Sequence, residues 1–290
     1  MRSVKAFAPA TVANVSCGFD ILGFAIDAMG DTVELVLKDE PGLVVVSIDG
    51  DGGKLPLEAE KNTCAVAIQA MLDELDSKVG MNIYLTKGLP LGSGMGSSAA
   101  SAVAALAAAN RLLGDPFEKK DLLPFAIAAE KVACGAGHAD NVAPSLLGGF
   151  VLVRDYHPLD VIKLPVPDGL YCTLLHPHYE LKTADSRSVL RDQIPMKHAT
   201  IQSGNVAGLI AGLYESDFEL ISRSLRDVIA EPYRAVLLPG FYEVREALKA
   251  AGALGMGISG SGPTLFALSR GKETAEAVGE AGKEIFSKIG

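Results

Sequence analysis

The sequence predicts an α+β protein built of two domains. Strand-like and helix-like segments are mixed along all 290 residues, and no internal repeat interrupts the pattern. At roughly 100 to 200 residues per domain, a chain of this length has room for two domains. Prolines 158, 165 and 167 mark a crossover, so we predict domains at residues 1–163 and 164–290.

Composition and charge narrow the range of functions. The chain has a formal net charge of -9 at pH 7 and lacks clustered Lys and Arg, which argues against nucleic-acid binding. Its most apolar stretch, Ala99 to Ala109, is shorter than the roughly 20 residues that a membrane helix needs. With no secretion signal at the start, we expect a cytoplasmic protein that does not bind membranes. The scattered cysteines predict reduced thiols without a disulfide framework or zinc motif: Cys17, Cys64, Cys134 and Cys172.

The first half combines β-branched runs with helical periodicity. Thr32–Leu37 and Leu43–Ile48 are separated by an Asp-Glu-Pro-Gly turn signal, which predicts a hairpin. Asn62 is a suitable N-cap for a helix that runs to about residue 75. Strands are predicted at Met81–Thr86 and Leu146–Arg154.

The second half predicts a mixed strand and helix domain. A helix is expected to begin at Thr183. The other predicted segments are three strands, at Tyr171–His176, Gly255–Ser259 and Pro263–Ser269, and four helices, at Gln202–Tyr214, Phe218–Ile229, Tyr242–Ala251 and Glu273–Ile289.

A glycine loop lies between a predicted strand and an alanine-rich helix. Gly92, Gly94 and Gly96 let the backbone adopt positive φ and bring its N–H groups close to an anion. Ser97 and Ser98 then open the helix, where a hydroxyl can cap the helix or contact a phosphate or a magnesium ion. The loop therefore predicts phosphate binding, with a merely flexible turn as the alternative.

Two other classes of phosphate-binding loop also contain closely spaced glycines. A Walker-type loop requires Gly-Lys followed by Ser or Thr, and Leu or Glu follows the Gly-Lys pairs of this chain. Residues Gly94–Ala99 do fit the dinucleotide pattern GxGxxA. That pattern also needs an acidic residue at the end of a second strand roughly 20 residues on, where Asp115 instead lies in a turn. A nicotinamide-dependent oxidoreductase is thus the second hypothesis.

Three ordered motifs resemble those of the GHMP kinases. Pro90–Ser101 resembles their signature Pro-x-x-x-Gly-Leu-Gly-Ser-Ser-Ala, with Met95 in place of the usual leucine. Ala8–Asn14, with Gly-Phe-Asp ending at residue 20, resembles the N-terminal motif, and Gly257–Pro263 resembles the late one. The resemblance implies a two-domain GHMP kinase fold. Its N-terminal domain has a left-handed βαβ crossover, and its C-terminal domain is ferredoxin-like.

Further segments are similar to the branch of this family that phosphorylates L-homoserine. They are Gly137–Pro144, Lys182–Arg187 and Ile229–Arg234, so the resemblance spans nearly the whole chain. It implies transfer of phosphate from ATP to the side-chain hydroxyl of L-homoserine, a step toward threonine, by a homodimer. The alternatives are another small-molecule kinase of the family and a catalytically silent binding protein with this fold.

The resemblance also implies where ATP and Mg²⁺ bind. Ser98 and Glu130 are the expected magnesium contacts, since magnesium prefers oxygen ligands and takes only one or two from protein. Pairing of Glu130 with Lys131 or with solvent is the alternative. The residues expected around the ATP phosphates are Pro90, Leu91, Gly92, Ser93, Gly94, Met95, Gly96, Ser97, Ser98, Ala99 and Ala100.

A homoserine site must bind an ammonium, a carboxylate and a reacting hydroxyl. By resemblance, Asp20 neutralises the ammonium, and Arg187 and Arg234 hold the carboxylate, to which Arg is suited. Taken singly, these side chains also fit turn, cap or solvated positions. The remaining expected substrate contacts are Asn14, His138, Asn141, Thr183 and Gly260.

The catalytic assignment leaves the general base open. Related kinases use an aspartate, for which Asp140 or Asp20 is the candidate, yet the homoserine branch resembles enzymes without a dedicated base. Phosphoryl transfer through a loose transition state needs mainly in-line positioning and charge stabilisation. We therefore expect Asn141 to orient the hydroxyl.

Overall fold

The computed structural model describes residues 2–135 and 137–289, and of Ala28, Ala133 and Cys134 it describes the backbone alone. The chain forms two compact units that exchange segments along the sequence. Unit 1 comprises Met1–Thr11, Phe24–Leu91 and Gly96–Gly148. Unit 2 comprises Val12–Gly23, Gly92–Met95 and Gly149–Gly290. The contiguous division at residues 163 and 164 stays a prediction.

Four strands provide the sheet of unit 1: β1 (Ser3–Ala13), β2 (Leu22–Lys38), β3 (Leu43–Asp49) and β4 (Gly80–Thr86). Strand β4 lies between β3 and β2, parallel to the first and antiparallel to the second, and β1 pairs with β2. The parallel pair β3–β4 is joined by a helix, which makes a βαβ unit.

The predicted hairpin between residues 32–37 and 43–48 is wrong, because β4 separates the two strands. The distribution of apolar side chains explains the order. Met81, Ile83 and Leu85 of β4 are fully or almost fully buried, which suits a central strand. Val44 and Val46 of β3 are both 43% exposed, which suits an edge strand.

The helices of unit 1 are α1 (Thr63–Glu74), α2 (Ser97–Leu112), α3 (Leu123–Cys134) and α4 (Ala139–Leu147). The predicted cap of α1 is confirmed, since the side chain of Asn62 accepts from the Cys64 N–H at 3.0 Å. Helix α4 was not predicted, because Pro144 in its interior is typical of a helix break. The strand predicted from Leu146 accordingly begins later, at Phe150.

Unit 2 contains an antiparallel hairpin, β5 (Phe150–Tyr156) and β6 (Leu159–Leu164), and a separate three-stranded sheet. That sheet is antiparallel in the order β7 (Leu170–Leu175), β9 (Leu265–Arg270) and β8 (Gly255–Ile258). The helices are α5 (Thr183–Ser188), α6 (Met196–Glu215), α7 (Phe218–Ser224), α8 (Glu231–Arg234), α9 (Phe241–Ala250) and α10 (Lys272–Ile289).

The core of unit 2 lies between its sheet and two helices. Phe241, Val244 and Leu248 recur on one face of α9 and pack with Val278 of α10 against the apolar face of β9. All four side chains are at most 2% exposed. This packed layer carries the Gly-Ser-Gly turn between β8 and β9, which contributes to the site described below.

Two remaining expectations concern membranes and thiols. No helix within the described parts of the chain is both long and apolar enough to cross a bilayer. Cys17, Cys64 and Cys172 are free thiols, as predicted, whereas the side chain of Cys134 lies outside the described residues.

Candidate active site

The glycine loop joins β4 to α2, and its middle part belongs to unit 2. The Ser93 carbonyl accepts from the Thr264 N–H at 3.2 Å, and the Gly94 carbonyl accepts from Ser259 Oγ at 2.7 Å. At Gly94 the φ angle is +78°, and a Cβ there would lie 2.4 Å from the Ser259 carbonyl oxygen. Only glycine fits at this position, so the turn between β8 and β9 fixes this part of the loop.

The end of the loop belongs to unit 1 and begins α2. Gly96 caps the helix with a φ of 66° and without a side-chain hydrogen bond. A Cβ there would lie 2.1 Å from Thr11 Oγ1 and 2.8 Å from Asn141 Oδ1. Thr11 itself donates to Asn141 Oδ1 at 2.7 Å. The first turn of α2 is thereby held directly against Asn141.

The start of α2 presents donors suited to an anion. No side chain caps the helix, so its first backbone N–H groups have no capping acceptor. Ser97 Oγ is buried, and no atom of residues 2–135 or 137–289 forms a hydrogen bond with it. Unsatisfied N–H groups at a helix start favour a bound phosphate. The predicted loop residues therefore fit a phosphate.

A buried ion pair that was not predicted from the sequence supports this helix start. Lys87 forms an ion pair with Asp31 of β2, and it also donates to Ser101 Oγ at 2.8 Å and to the Ser97 carbonyl at 2.9 Å. Asp31 accepts in addition from the Gly88 N–H at 3.0 Å. The pair connects β2, the end of β4 and the first turn of α2. The available signal was the charge of Lys87 directly before the loop.

Ser98 and Glu130 lie on neighbouring helices of unit 1. Ser98 is half-buried in the first turn of α2, and Glu130 is 5% exposed on α3, which packs against α2. No three His, Cys, Asp or Glu side chains in the described part of the chain are grouped as a metal site. A magnesium ion that takes most of its oxygens from phosphate and water does not require such a group. The hydroxyl of Ser98 and the carboxylate of Glu130 are therefore suitable as the two protein ligands of a magnesium ion.

In unit 2 the loop before β2 is strained. Asn14, Val15, Ser16 and Asp20 have φ angles of 70°, 40°, 59° and 60°, which are rare for residues other than glycine. Asn14 holds the loop in place. It donates to the Gly260 carbonyl at 2.7 Å and accepts from the Asp20 N–H at 3.0 Å. Strain of this kind persists where the surroundings fix the backbone, and it is concentrated at functional sites.

Most of the predicted substrate residues meet around this loop. Arg187 Nη2 lies 2.7 Å from Asp20 Oδ1, and Arg187 Nη1 lies 3.2 Å from Oδ2. Arg234 is 4% exposed and donates to the carbonyls of Gly260 at 3.0 Å and Ser186 at 3.2 Å. The guanidinium groups of Arg187 and Arg234 lie 5.6 and 5.1 Å from the ring centre of Phe19. Unit 2 therefore gathers one carboxylate and two guanidinium groups at one place.

The remaining predicted residues occupy two places. Thr183 begins α5, and its hydroxyl lies 3.3 Å from that of Ser261. His138 is at the N-cap position of α4 in unit 1, and Asp140 and Asn141 follow in the first turn. Asp140 is 3% exposed. In the described part of the chain, the side chain of Asn141 forms a hydrogen bond with Thr11 alone, through Oδ1, which leaves its side-chain N–H groups available to a ligand.

Gln202 and Asp227, which were not predicted from the sequence, also support the strained loop. Gln202 Nε2 donates to the Cys17 carbonyl at 2.7 Å and to Asp227 Oδ1 at 2.9 Å. Asp227 also accepts from the N–H groups of Ile229, Ala230 and Glu231 at 2.7 to 3.2 Å. These bonds end α7 at Ser224, five residues before the predicted end, and place α8 beside the loop. Both side chains are buried, so the bonds form without competition from solvent.

The chain is similar to known proteins over almost its whole length. The family described as GHMP kinases N terminal domain matches residues 62–149, and GHMP kinases C terminal matches residues 209–288. A homoserine kinase of Chlorobium phaeobacteroides is 55% identical over 296 residues, which cover 99% of this chain and 92% of the relative. The homoserine kinase of Xylella fastidiosa is 42% identical and covers 100% of this chain and 89% of its own length.

Solved structures show the same relationship. The crystal structure of a homoserine kinase from Cytophaga hutchinsonii has a TM-score of 0.98 at 57% identity, covering 100% of this chain and 92% of that one. A mevalonate kinase of L. major has a TM-score of 0.73 at 16% identity, covering 99% of this chain and 93% of its own, which shows a shared fold alone.

Proposed function

This chain belongs to the GHMP kinase family, on its homoserine kinase branch, and we propose that it transfers the γ-phosphoryl group of ATP to the side-chain hydroxyl of L-homoserine. The products are ADP and O-phospho-L-homoserine. The observation that carries the proposal is the uncapped start of α2 behind a left-handed glycine, since it offers backbone donors to a phosphate. Full-length identity of 50–55% to homoserine kinases of several organisms supports the choice of substrate.

We propose that residues 90–100 bind the triphosphate of ATP. The N–H groups of the loop and of the first turn of α2 surround the phosphate oxygens, and the hydroxyls of Ser97 and Ser98 add further contacts. The chain as a whole carries a net charge of -9, so local donors rather than a general positive field must bind this anion. The close contacts of Gly94 and Gly96 fix the loop before ATP binds, and this lowers the conformational entropy lost on binding.

Ser98 and Glu130 are the proposed ligands of Mg²⁺. When bound, the ion neutralises charge that develops on the transferring phosphoryl group. The position of Glu130 supports this role, because it lies on α3, which packs against the helix that carries Ser98 in its first turn. Replacement of Glu130 by Gln tests the assignment. Half-maximal activity should then require a higher magnesium concentration, while the fold stays unaltered.

The proposed homoserine site uses the charges gathered in unit 2. Asp20 and Arg187 already place opposite charges side by side, an arrangement complementary to the adjacent ammonium and carboxylate of an amino acid. Arg234 is held by two carbonyls, so its guanidinium keeps a fixed orientation toward the substrate carboxylate. The remaining proposed contacts of the substrate are Asn14, His138, Asn141, Thr183 and Gly260.

Asn141 is the residue we propose to orient the reacting hydroxyl. Its Oδ1 is fixed by Thr11, so its amide N–H groups have a defined direction. Asp140 is the alternative as a base, although a loose transition state allows the proton to leave late, toward the transferred phosphate. Asn141→Ala should lower kcat more than it raises the KM for ATP. An unchanged kcat would remove Asn141 from the mechanism.

A coupled ADP-release assay distinguishes the candidate functions. Homoserine, mevalonate, galactose and shikimate are compared as acceptors, each with ATP and magnesium. Homoserine alone should support rapid ADP formation. An oxidoreductase would instead change nicotinamide absorbance without using ATP, and a silent binding protein would bind ligand without turnover. From the family membership we further propose that the protein is a cytoplasmic homodimer. Sedimentation analysis of the purified chain tests whether it is a dimer.

A further inference from the structure

Unit 2 contains a cavity with the size of a small-molecule site. It has a volume of about 410 Å³ and lies between α7, α9 and the segment that leads into β8. Ligand pockets typically measure on the order of 300 to 1,000 Å³. Four cations and one carboxylate line it, and we call it the basic cavity: Arg223, Arg226, Arg245, Lys249 and Glu231.

Most of the positive charge of the basic cavity is uncompensated. Arg223, Arg226 and Lys249 are exposed and form no ion pair with any described residue. Arg223 and Lys249 lie in the last turns of α7 and α9, where a cation also offsets the helix dipole. Arg226 lies beyond the end of α7, and Arg245 lies in the middle of α9, so the dipole does not account for them. In a chain of net charge -9, this concentration of cations needs another explanation.

Arg245 and Glu231 form the polar wall of the cavity. Arg245 Nη2 lies 2.6 Å from Glu231 Oε1, and the guanidinium lies 4.6 Å from the ring centre of Phe241. The side chains of the pair are 29% and 11% exposed. Burial raises the pKa of Glu231, although the charge of Arg245 opposes that shift. Glu231 thus occupies a position in front of Arg245 that an incoming anion would compete for.

Apolar side chains also line the cavity. Leu225, Leu248 and Met256 are 8%, 0% and 4% exposed. A ligand that fills the cavity therefore combines negative charge with a short apolar portion. A bare inorganic ion would contact the cations and leave the apolar lining uncovered.

Glu231 connects the basic cavity with the proposed homoserine site. The same residue lines a much smaller cavity of about 10 Å³, bounded by Asn14, Phe19 and Arg234. It also begins α8, the four-residue helix that carries Arg234. If Glu231 changes its partner, α8 is affected, and α8 positions Arg234, a proposed substrate contact.

From these contacts we propose that the basic cavity is a second ligand site for a small organic anion, bearing a carboxylate or phosphate on a short apolar stem. The anion binds Arg223, Arg226 and Lys249 and competes with Glu231 for Arg245. No covalent step is involved. A second consequence, which rests on the proposed function, is that the occupied cavity alters the KM for homoserine.

Isothermal titration of the full chain, with ADP saturating the nucleotide site, tests the binding. Succinate represents the carboxylates, propyl phosphate represents the phosphates, and succinamide is the neutral control. We expect one succinate or one propyl phosphate per chain and no binding of succinamide. Whichever anion binds more tightly identifies the acidic group. Absence of binding by both anions at roughly 10 mM would overturn the proposal.

Two variants of opposite effect locate the binding. The double variant Arg223→Glu/Arg226→Glu should weaken the anion at least about tenfold, because both cations are replaced by repelling charges. Glu231→Gln should strengthen it, because the competing carboxylate is removed. Lys272→Glu is the matched control, since Lys272 is an exposed cation of unit 2 outside the cavity. Equal affinity in all four proteins would overturn the proposal, as would equal weakening by Lys272→Glu.

The effect on the KM for homoserine is measured separately, by ADP release with and without the anion. Because the titration needs no turnover, failure of the kinase assay leaves the binding result unaffected. An anion that binds in the titration and leaves the KM unchanged would contradict the coupling through Glu231.

Discussion

Lys87 and Asp31 form an ion pair whose side chains are only 2% and 0% exposed. The pair lies directly behind the glycine loop and donates from Lys87 to the carbonyl of Ser97, the first residue of α2. Burial of two charges is costly unless each is compensated, and here every charged group has hydrogen-bond partners. The pair therefore stabilises the position of the helix start that we propose to bind phosphate.

Loss of Lys87 should destabilise the protein strongly. Lys87→Met leaves the Asp31 carboxylate buried beside an apolar side chain, which costs about 3 to 5 kcal/mol of unfolding free energy. Urea unfolding measures this change. The double variant Lys87→Met/Asp31→Leu should recover part of the loss, because no unpaired charge remains. Lys61→Met is the control, since its pair with Glu58 is 64% and 56% exposed and should change stability by less than about 0.5 kcal/mol.

Gly96→Ala should impair both stability and nucleotide affinity. The added Cβ would lie 2.1 Å from Thr11 Oγ1, so α2 or β1 must move. Gly52→Ala separates this clash from backbone strain, because Gly52 has a similar φ of +64° and open space around its Cβ position. We expect roughly 1 kcal/mol of destabilisation for Gly52→Ala and clearly more for Gly96→Ala. Equal losses in urea unfolding, with an equal KM for ATP, would show that the contact with Thr11 is unimportant.

Asp20→Asn should affect homoserine far more than ATP. Asparagine tolerates the positive φ of Asp20, so the strained loop keeps its shape while one charge is lost. The KM for homoserine should rise about ten- to a hundredfold, and the KM for ATP should stay within about twofold. Asp160→Asn is the matched control, because it breaks an exposed pair with Arg154 in the same unit. A parallel rise in both KM values would indicate damage to the fold instead.

Stability should fall in alkaline solution through buried thiols. Burial raises the pKa of Cys64 from 9.0 to about 12, and the thiol donates to the Ser101 carbonyl at 3.4 Å. The folded pKa is higher, so this contribution is complete below pH 9.0 and is lost as the pH rises toward about 12. Urea unfolding at several pH values should show a decrease of up to roughly 1.4 kcal/mol per pH unit from this thiol. Cys64→Ala should reduce that slope, and an unchanged slope would contradict the assignment.

The local features of the fold and site were predictable from sequence. Asn62 caps α1 as expected, and glycine at 94 and 96 is required by positive φ combined with close backbone or side-chain neighbours. The cap and the positive φ values are local, so residue type and spacing express them directly. The close neighbours of Gly94 and Gly96, among them Ser259 and Thr11, are distant in the chain and could not be predicted in this way. The charged residues of unit 2 were found through family resemblance, because individually each also fits an ordinary surface position.

The features that the sequence did not predict depend on distant pairing. Gln202 bridges the carbonyl of Cys17 and the carboxylate of Asp227, two groups that are far apart along the chain. The position of β4 between β3 and β2 is likewise decided by burial in the folded sheet, whereas the turn between β2 and β3 suggested direct pairing. Positive φ at Val15 has no sequence signal, since a β-branched residue is normally excluded from that conformation.

The most direct measurement is the rate of ADP formation by the purified chain with ATP, magnesium and each of the four acceptors. Turnover should depend on L-homoserine and yield O-phospho-L-homoserine in equal amount to ADP. ADP formation with mevalonate, galactose or shikimate in place of homoserine would contradict it, as would homoserine-independent hydrolysis of ATP alone.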